Sequence, residues 1–193
     1  MTKYLFLLFF GILSLNAQVT NVQITWNAAN CNALCAQSIT QNLRRIPGVA
    51  NLQGNTAQGS LNFAWNSHAS LNFSPINSAF ALIGPSIRNF KVRVRGRLVS
   101  QGNTFMLNSI RDNTTFLLLG AQQPHPNRWT VPFNYNPANN PLSTVLFQQL
   151  SIAAQRQQTV IISGEILAPE RSPPWMLIVR NVQVEVAPQS NKR

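Results

Sequence analysis

The chain of 193 residues carries fifteen Lys and Arg against four acids, Asp112, Glu165, Glu170 and Glu185, for a formal net charge of +11 with two histidines, His68 and His125. Four scattered carboxylates are poor material for paired-carboxylate hydrolysis or a hard-cation site, and two histidines for a triad or a His-rich zinc centre, so the composition argues against an enzyme. The same imbalance favours acidic partners, whether nucleic acid, lipid head groups or polyanionic polysaccharide, and selects none of them.

In chain order, "MTKYLFLLFFGILSLNA" joins one early cation, Lys3, to an apolar run from Leu5 to Leu13 and a small residue at Ala17. That is the layout of a secretory signal peptide, and the run is short for a membrane span. Residues 1–17 are therefore expected to be removed, leaving no transmembrane segment and fourteen cations against four acids, 14 − 4 = +10. The mature protein is expected to be secreted, or periplasmic within the cell envelope, where disulfides persist.

Val19 to Trp26 alternates apolar and polar residues, the mark of a half-buried strand. After Cys31 and Cys35, the apolar residues Ile39, Leu43 and Ile46 recur at helical spacing; Asn30 or Asn32 can cap that helix, Arg44 and Arg45 suit its last turn, and Pro47-Gly48 stops it. A strand from Val49 is interrupted by "GNTAQG" and resumes from Ser60 to Trp65. Ser70 to Phe73 predicts a short strand, followed by a helix with Ser74 as cap, Pro75 in its first turn and Phe80, Ile83 and Ile87 inward. Phe90 to Val99 is again an alternating strand. The order β, α, β, β, α, β is the split βαβ, or ferredoxin-like, arrangement, assigned to residues 18–98.

This unit resembles the heavy-metal-associated (HMA-like) domain of copper chaperones and metal-transporting ATPases. With Cys35 taken as the family's second cysteine, Ile39, Leu43 and Ile46 fall on its apolar helix positions, Gly48-Val49 on its terminal pair, and "NFSP" (Asn72 to Pro75) on its strand-to-helix junction. The resemblance implies a ferredoxin-like fold and a site for Cu(I) or another soft metal ion at Cys31 and Cys35. Three residues separate the two cysteines where the family has two, and Ala29-Asn30 replaces its Gly-Met. Taken by themselves, the residues leave three fates open. Cys31 and Cys35 can form a disulfide, since Cα atoms four apart on a helix lie about 6 Å apart; they can be metal-binding or redox-active thiols, their pKa lowered near a helix N-terminus; or they can be free thiols without a role.

A second series follows. A Gln101-Gly102-Asn103 turn leads to a strand over Thr104 to Ile110, an "RDN" turn and a strand over Thr114 to Gly120, a meander. The Pro- and Asn-rich stretch 121–140 predicts a long loop with His125 as a solvated residue. A helix is expected from Pro141 to Gln157, then strands over Thr159 to Ala168 and Trp175 to Val186. Three strands, a helix and two strands is the order of an OB-like five-stranded β-barrel with one helix, assigned to residues 99–187, with a tail at 188–193. The last two strands resemble those of such barrels, in which a Gly lets one strand coil at a corner. The expected fold class is α+β, two small domains held rigidly because the strand at Phe90 to Val99 belongs to both.

That strand also carries the densest charge. Lys91, Arg93, Arg95 and Arg97 project from one face, about 7 Å apart, with Arg88 preceding them and Val92, Val94 and Leu98 turned the other way. They form either a solvated outer face or an anion-binding one. No aromatic alternates with them, so stacking on single-stranded nucleic acid is not supported; anionic lipid or polysaccharide, or a protein partner, is the expected class. The functional expectation is a binding or adaptor module of the envelope. It works through soft-metal capture at Cys31 and Cys35, or as a disulfide-closed scaffold presenting Arg88 and the row from Lys91 to Arg97.

Overall fold

The alternation that starts at Val19 becomes β1 (Val19–Trp26), which buries Val19, Val22, Ile24 and Trp26 and turns Asn21 and Gln23 outward. The computed structural model describes residues 19–66, 68–121 and 140–185. The leader at 1–17, the loop residue His125 and the tail at 188–193 lie outside the described residues.

α1 (Ala33–Arg44) buries Ala36, Ile39 and Leu43 along one stripe and carries Arg44 in its last turn, where a cation suits the helix dipole. β2 (Val49–Asn55) and β3 (Ser60–Trp65) are joined by a 3-10 turn at Thr56–Gln58. The predicted strand over Ser70 to Phe73 is not one. The Asn72 side chain accepts from the Ser74 N–H and caps α2 (Phe73–Ala81), while the Leu71 N–H donates to Thr114 Oγ1 instead of to a strand partner. β4 (Ile87–Gln101) follows, then β5 (Thr104–Ser109) and β6 (Thr115–Leu119). α3 (Thr144–Gln155) starts three residues later than the prolines suggest, because Ser143 caps it by accepting from the Leu146 N–H. β7 (Thr159–Leu167) and β8 (Trp175–Val184) complete, among the described residues, an α+β architecture of three helices and an eight-stranded sheet.

The sheet runs β2-β3-β1-β4-β5-β6-β8-β7, and β7 returns to pair with β4. The strands β4, β5, β6, β8 and β7 therefore close on themselves, with β6 and β8 parallel and the other pairs antiparallel. At residues 91–94, β4 lies between β1 and β7; at 96–97 it lies between β5 and β7. It follows that β1 and β5 sit end to end along one edge of β4 and β7 along the other. Two close approaches need glycine. A Cβ at Gly96 would meet the Asn108 carbonyl oxygen, and one at Gly164, opposite a bulge in β8, would meet that of Ile178.

One hydrophobic cluster runs through both parts of the sheet. Phe90 of β4 stands edge-on to Phe73 of α2 at 5.2 Å between centroids and tilted against Trp175 of β8 at 6.1 Å. Burying an aromatic side chain of this kind is worth roughly 1.5–3 kcal/mol. A polar junction supports it: the buried Asp112 carboxylate accepts from the Val19 N–H at 3.4 Å and the Thr114 N–H at 3.0 Å, and the Asp112 carbonyl accepts from Ser70 Oγ at 2.8 Å. Among the described residues no helix is long and apolar enough to cross a membrane.

Candidate functional site

Two places collect the residues that the sequence singles out. The first is the start of α1. Asn32, in extended backbone conformation, accepts from the Cys35 N–H at 2.9 Å, so Cys35 sits in the first turn, while Cys31 ends a 3-10 turn and donates its N–H to the Ala28 carbonyl at 3.0 Å. Moving Cys31 off the helix brings the Cα atoms to 5.2 Å, within the usual disulfide range, and the two sulfurs are bonded. Of the three fates open to this pair, the disulfide is the one found. Soft-metal ligation needs thiolates, so in this bonded state the two sulfurs do not fit Cu(I). Cys31 is buried at the margin of the core, and Cys35 packs against it.

The second place is the outer face of β4. Phe90, Val92, Val94 and Leu98 point into the core, with Gly96 in the same buried phase, and Lys91, Arg93, Arg95 and Arg97 between them point to solvent. Lys91, Arg93 and Arg97 are exposed; Arg95 is half-buried. Arg88, also exposed, precedes the row. Thr25 pairs with Asn89 and Trp26 with Ile87, so Arg88 is the extra residue of a bulge.

The row is not uniformly unpaired. Arg95 makes a bidentate ion pair with Glu185, with nitrogen-to-oxygen distances of 2.7–2.9 Å. The hydrogen bond to Glu185, together with Coulomb attraction and against the cost of burial, raises the Arg95 pKa above its ordinary value. Arg93 donates to Gln183 Oε1 at 2.9 Å. Both side chains thus lie over β7 to reach β8. Arg180 approaches Glu165 at 3.9 Å, and Glu165, 6% exposed, also accepts from Asn89 at 3.0 Å once the Asn89 amide is turned to face its acceptors. Arg88, Lys91 and Arg97 have no ion pair among the described residues.

Cross-strand pairing sets the surroundings of Lys91 and Arg93. Gln23 lies opposite Lys91 and Asn21 opposite Arg93 on β1; Glu165 and Ser163 lie opposite them on β7. Together with Arg180 these residues line a depression of about 520 Å³. The alternation of β4 makes the cation row legible from sequence, but the amides, Arg180 and the acids that temper the row come from strands far away in the chain. The available signal was the polar phase of "VTNVQITW" and the placing of two of the four acids, Glu165 and Glu185, on the outer phase of the last strands.

No protein-family profile, curated protein or solved structure matches the chain.

Proposed function

We propose that the protein is an exported, non-enzymatic adaptor of the cell envelope: a disulfide-closed scaffold that presents a basic strand face to an anionic envelope component. The strand order β2-β3-β1-β4 with α1 and α2 on one side supports reading the first part as a ferredoxin-like, HMA-like unit. The ring of five strands with α3 between its third and fourth supports reading the second as an OB-like barrel. The observation that carries the function is the outer face of β4. Five cations (Lys91, Arg93, Arg95, Arg97 and Arg180) meet two carboxylates there, Glu165 and Glu185, leaving 5 − 2 = +3 on one surface, with Arg88 exposed just before the row. Such a surface attracts polyanions and releases them as salt rises.

Retention of the purified mature protein on dextran sulfate tests the reading. Affinity is expected to fall roughly ten-fold between about 50 and 200 mM salt, and to fall further in Lys91→Ser/Arg97→Ser, whose cations have no carboxylate partner. Retention that ignores both salt and the double substitution would sink it.

A second reading has one observation in its favour, the holding of both sulfurs at the N-terminus of α1. After reduction the pair would offer two soft donors to Cu(I). Thiol titration separates the readings: no reactive thiols without reductant and two with it, followed by a Cu(I) uptake that Cys35→Ser abolishes. Reduced protein that takes up no Cu(I) removes this second reading and leaves the first intact.

A further inference from the structure

The depression at the seam, and not the cation row alone, selects the ligand class. We infer that Asn21, Gln23, Lys91, Arg93, Glu165 and Arg180 form a subsite for an acidic sugar unit, a carboxylated oligosaccharide laid across β1, β4, β7 and β8. This rests on the basic-face reading above and narrows it.

Three observations lead there. The depression is bordered by side-chain amides as well as cations, and the side chains of Asn21 and Gln23 spend no hydrogen bonds on the described residues. An amide offers a donor and an acceptor at once, which suits a sugar hydroxyl; Lys91, Arg93 and Arg180 suit the carboxylate of an acidic sugar. Ser163 adds a hydroxyl for a further hydrogen bond to the sugar. Secondly, among the described residues the lining holds no aromatic ring, so none of them offers a nucleobase a stacking surface. Thirdly, a lipid surface calls for apolar side chains beside the cations. Val99, 42% exposed in the outer phase of β4, lies beyond Arg97 and does not line the depression; the most exposed large apolar residues, Leu34, Leu82 and Val145, lie in or next to helices whose buried stripes pack on the inner face of the sheet.

The subsite exists because β4 is shared. Its amides come from β1, its central cations from β4, and Glu165 and Arg180 from β7 and β8. Opposite Ser163 and Gly164, Arg180 is the extra residue of a bulge in β8, since Ser163 pairs with Asn181 and Gly164 with Val179.

The test uses the full mature chain and four probes: a hexamer of galacturonic acid, the neutral maltohexaose, phosphatidylglycerol vesicles and dextran sulfate. The uronate hexamer is expected to bind and maltohexaose not to. Asn21→Ala/Gln23→Ala should weaken hexamer binding about ten-fold, the loss of two or so hydrogen bonds, without moving retention on dextran sulfate. Lys91→Gln should weaken both. Because Asn21 and Gln23 lie on the solvent side of β1, the double substitution is expected to leave the unfolding midpoint in place, and Gln23→Ala alone serves as a milder version. Hexamer affinity unchanged to within about two-fold in the amide variants overturns the sugar subsite. So does equal binding of maltohexaose, or vesicle binding that depends on the amides while hexamer binding does not. Dextran sulfate retention in any of these cases leaves the basic-face reading standing; its loss in the unsubstituted protein removes both.

Discussion

The two parts of the sheet deal with their edges in opposite ways. In the first, β2 has no strand beyond it among the described residues, and it is a poor template for another strand: it is polar and largely exposed, and its pairing with β3 slips between Ala50 and Gln53, where Asn51 takes a positive φ of 52°. In the second, β7 returns to β4 and no edge is left within the ring. A single strand, β4, serves both. Its inward residues Phe90 and Val92 meet the helix-covered core, while Gly96 and Leu98 belong to the stretch paired with β5 and β7. The boundary between the parts is thus a stretch of hydrogen-bonded backbone with no linker, and the outer face crosses it without interruption.

If that is right, the largest blow to both parts together is Phe90→Ala. It strips the ring that touches Phe73 on one side and Trp175 on the other, and it should cost about 3–5 kcal/mol. Urea unfolding followed by Trp fluorescence and by far-UV circular dichroism should show one coincident transition moved to lower urea; two separate transitions would divide the parts energetically. Asp112→Ala comes next. It leaves the Val19 and Thr114 N–H groups without their buried acceptor, for a loss of about 2 kcal/mol in the same assay. Removing the disulfide by Cys31→Ala/Cys35→Ala sharpens the contrast, because its short loop constrains only the first part. A loss of up to about 2 kcal/mol is expected, with dextran sulfate retention unchanged. The smallest effect belongs to Glu185→Gln, which releases a partly exposed partner of Arg95. Stability should move by less than about 1 kcal/mol while retention on dextran sulfate tightens.

Much of this was legible because period-two alternation and turn chemistry act locally. β1, β3, β7 and β8 fall within a residue or two of the expected spans, and Ile39 and Leu43 are buried on α1 as their spacing predicts. Ser70 to Phe73 misleads because its alternation matches a strand, whereas its hydrogen bonds go to Thr114 and to a helix cap. The pairing of β4 with β7 joins residues some seventy positions apart, and such non-local closure leaves no local trace. At the site, the cation row is visible in one strand's phase. The partners of Arg93 and Arg95 depend on where β8 comes to lie, and the disulfide depends on Cys31 leaving the helix for its cap.

The bulge at Arg88 has an implication for how this strand tolerates deletion. Every other position between Asn89 and Leu98 keeps the greasy and charged phases apart, so losing one residue there would invert whatever lies beyond it. Arg88 alone sits outside that count, since Ile87 and Asn89 already pair with adjacent residues of β1. Excising it would straighten the ladder and spare the frame of the whole strand, removing one exposed cation ahead of the row.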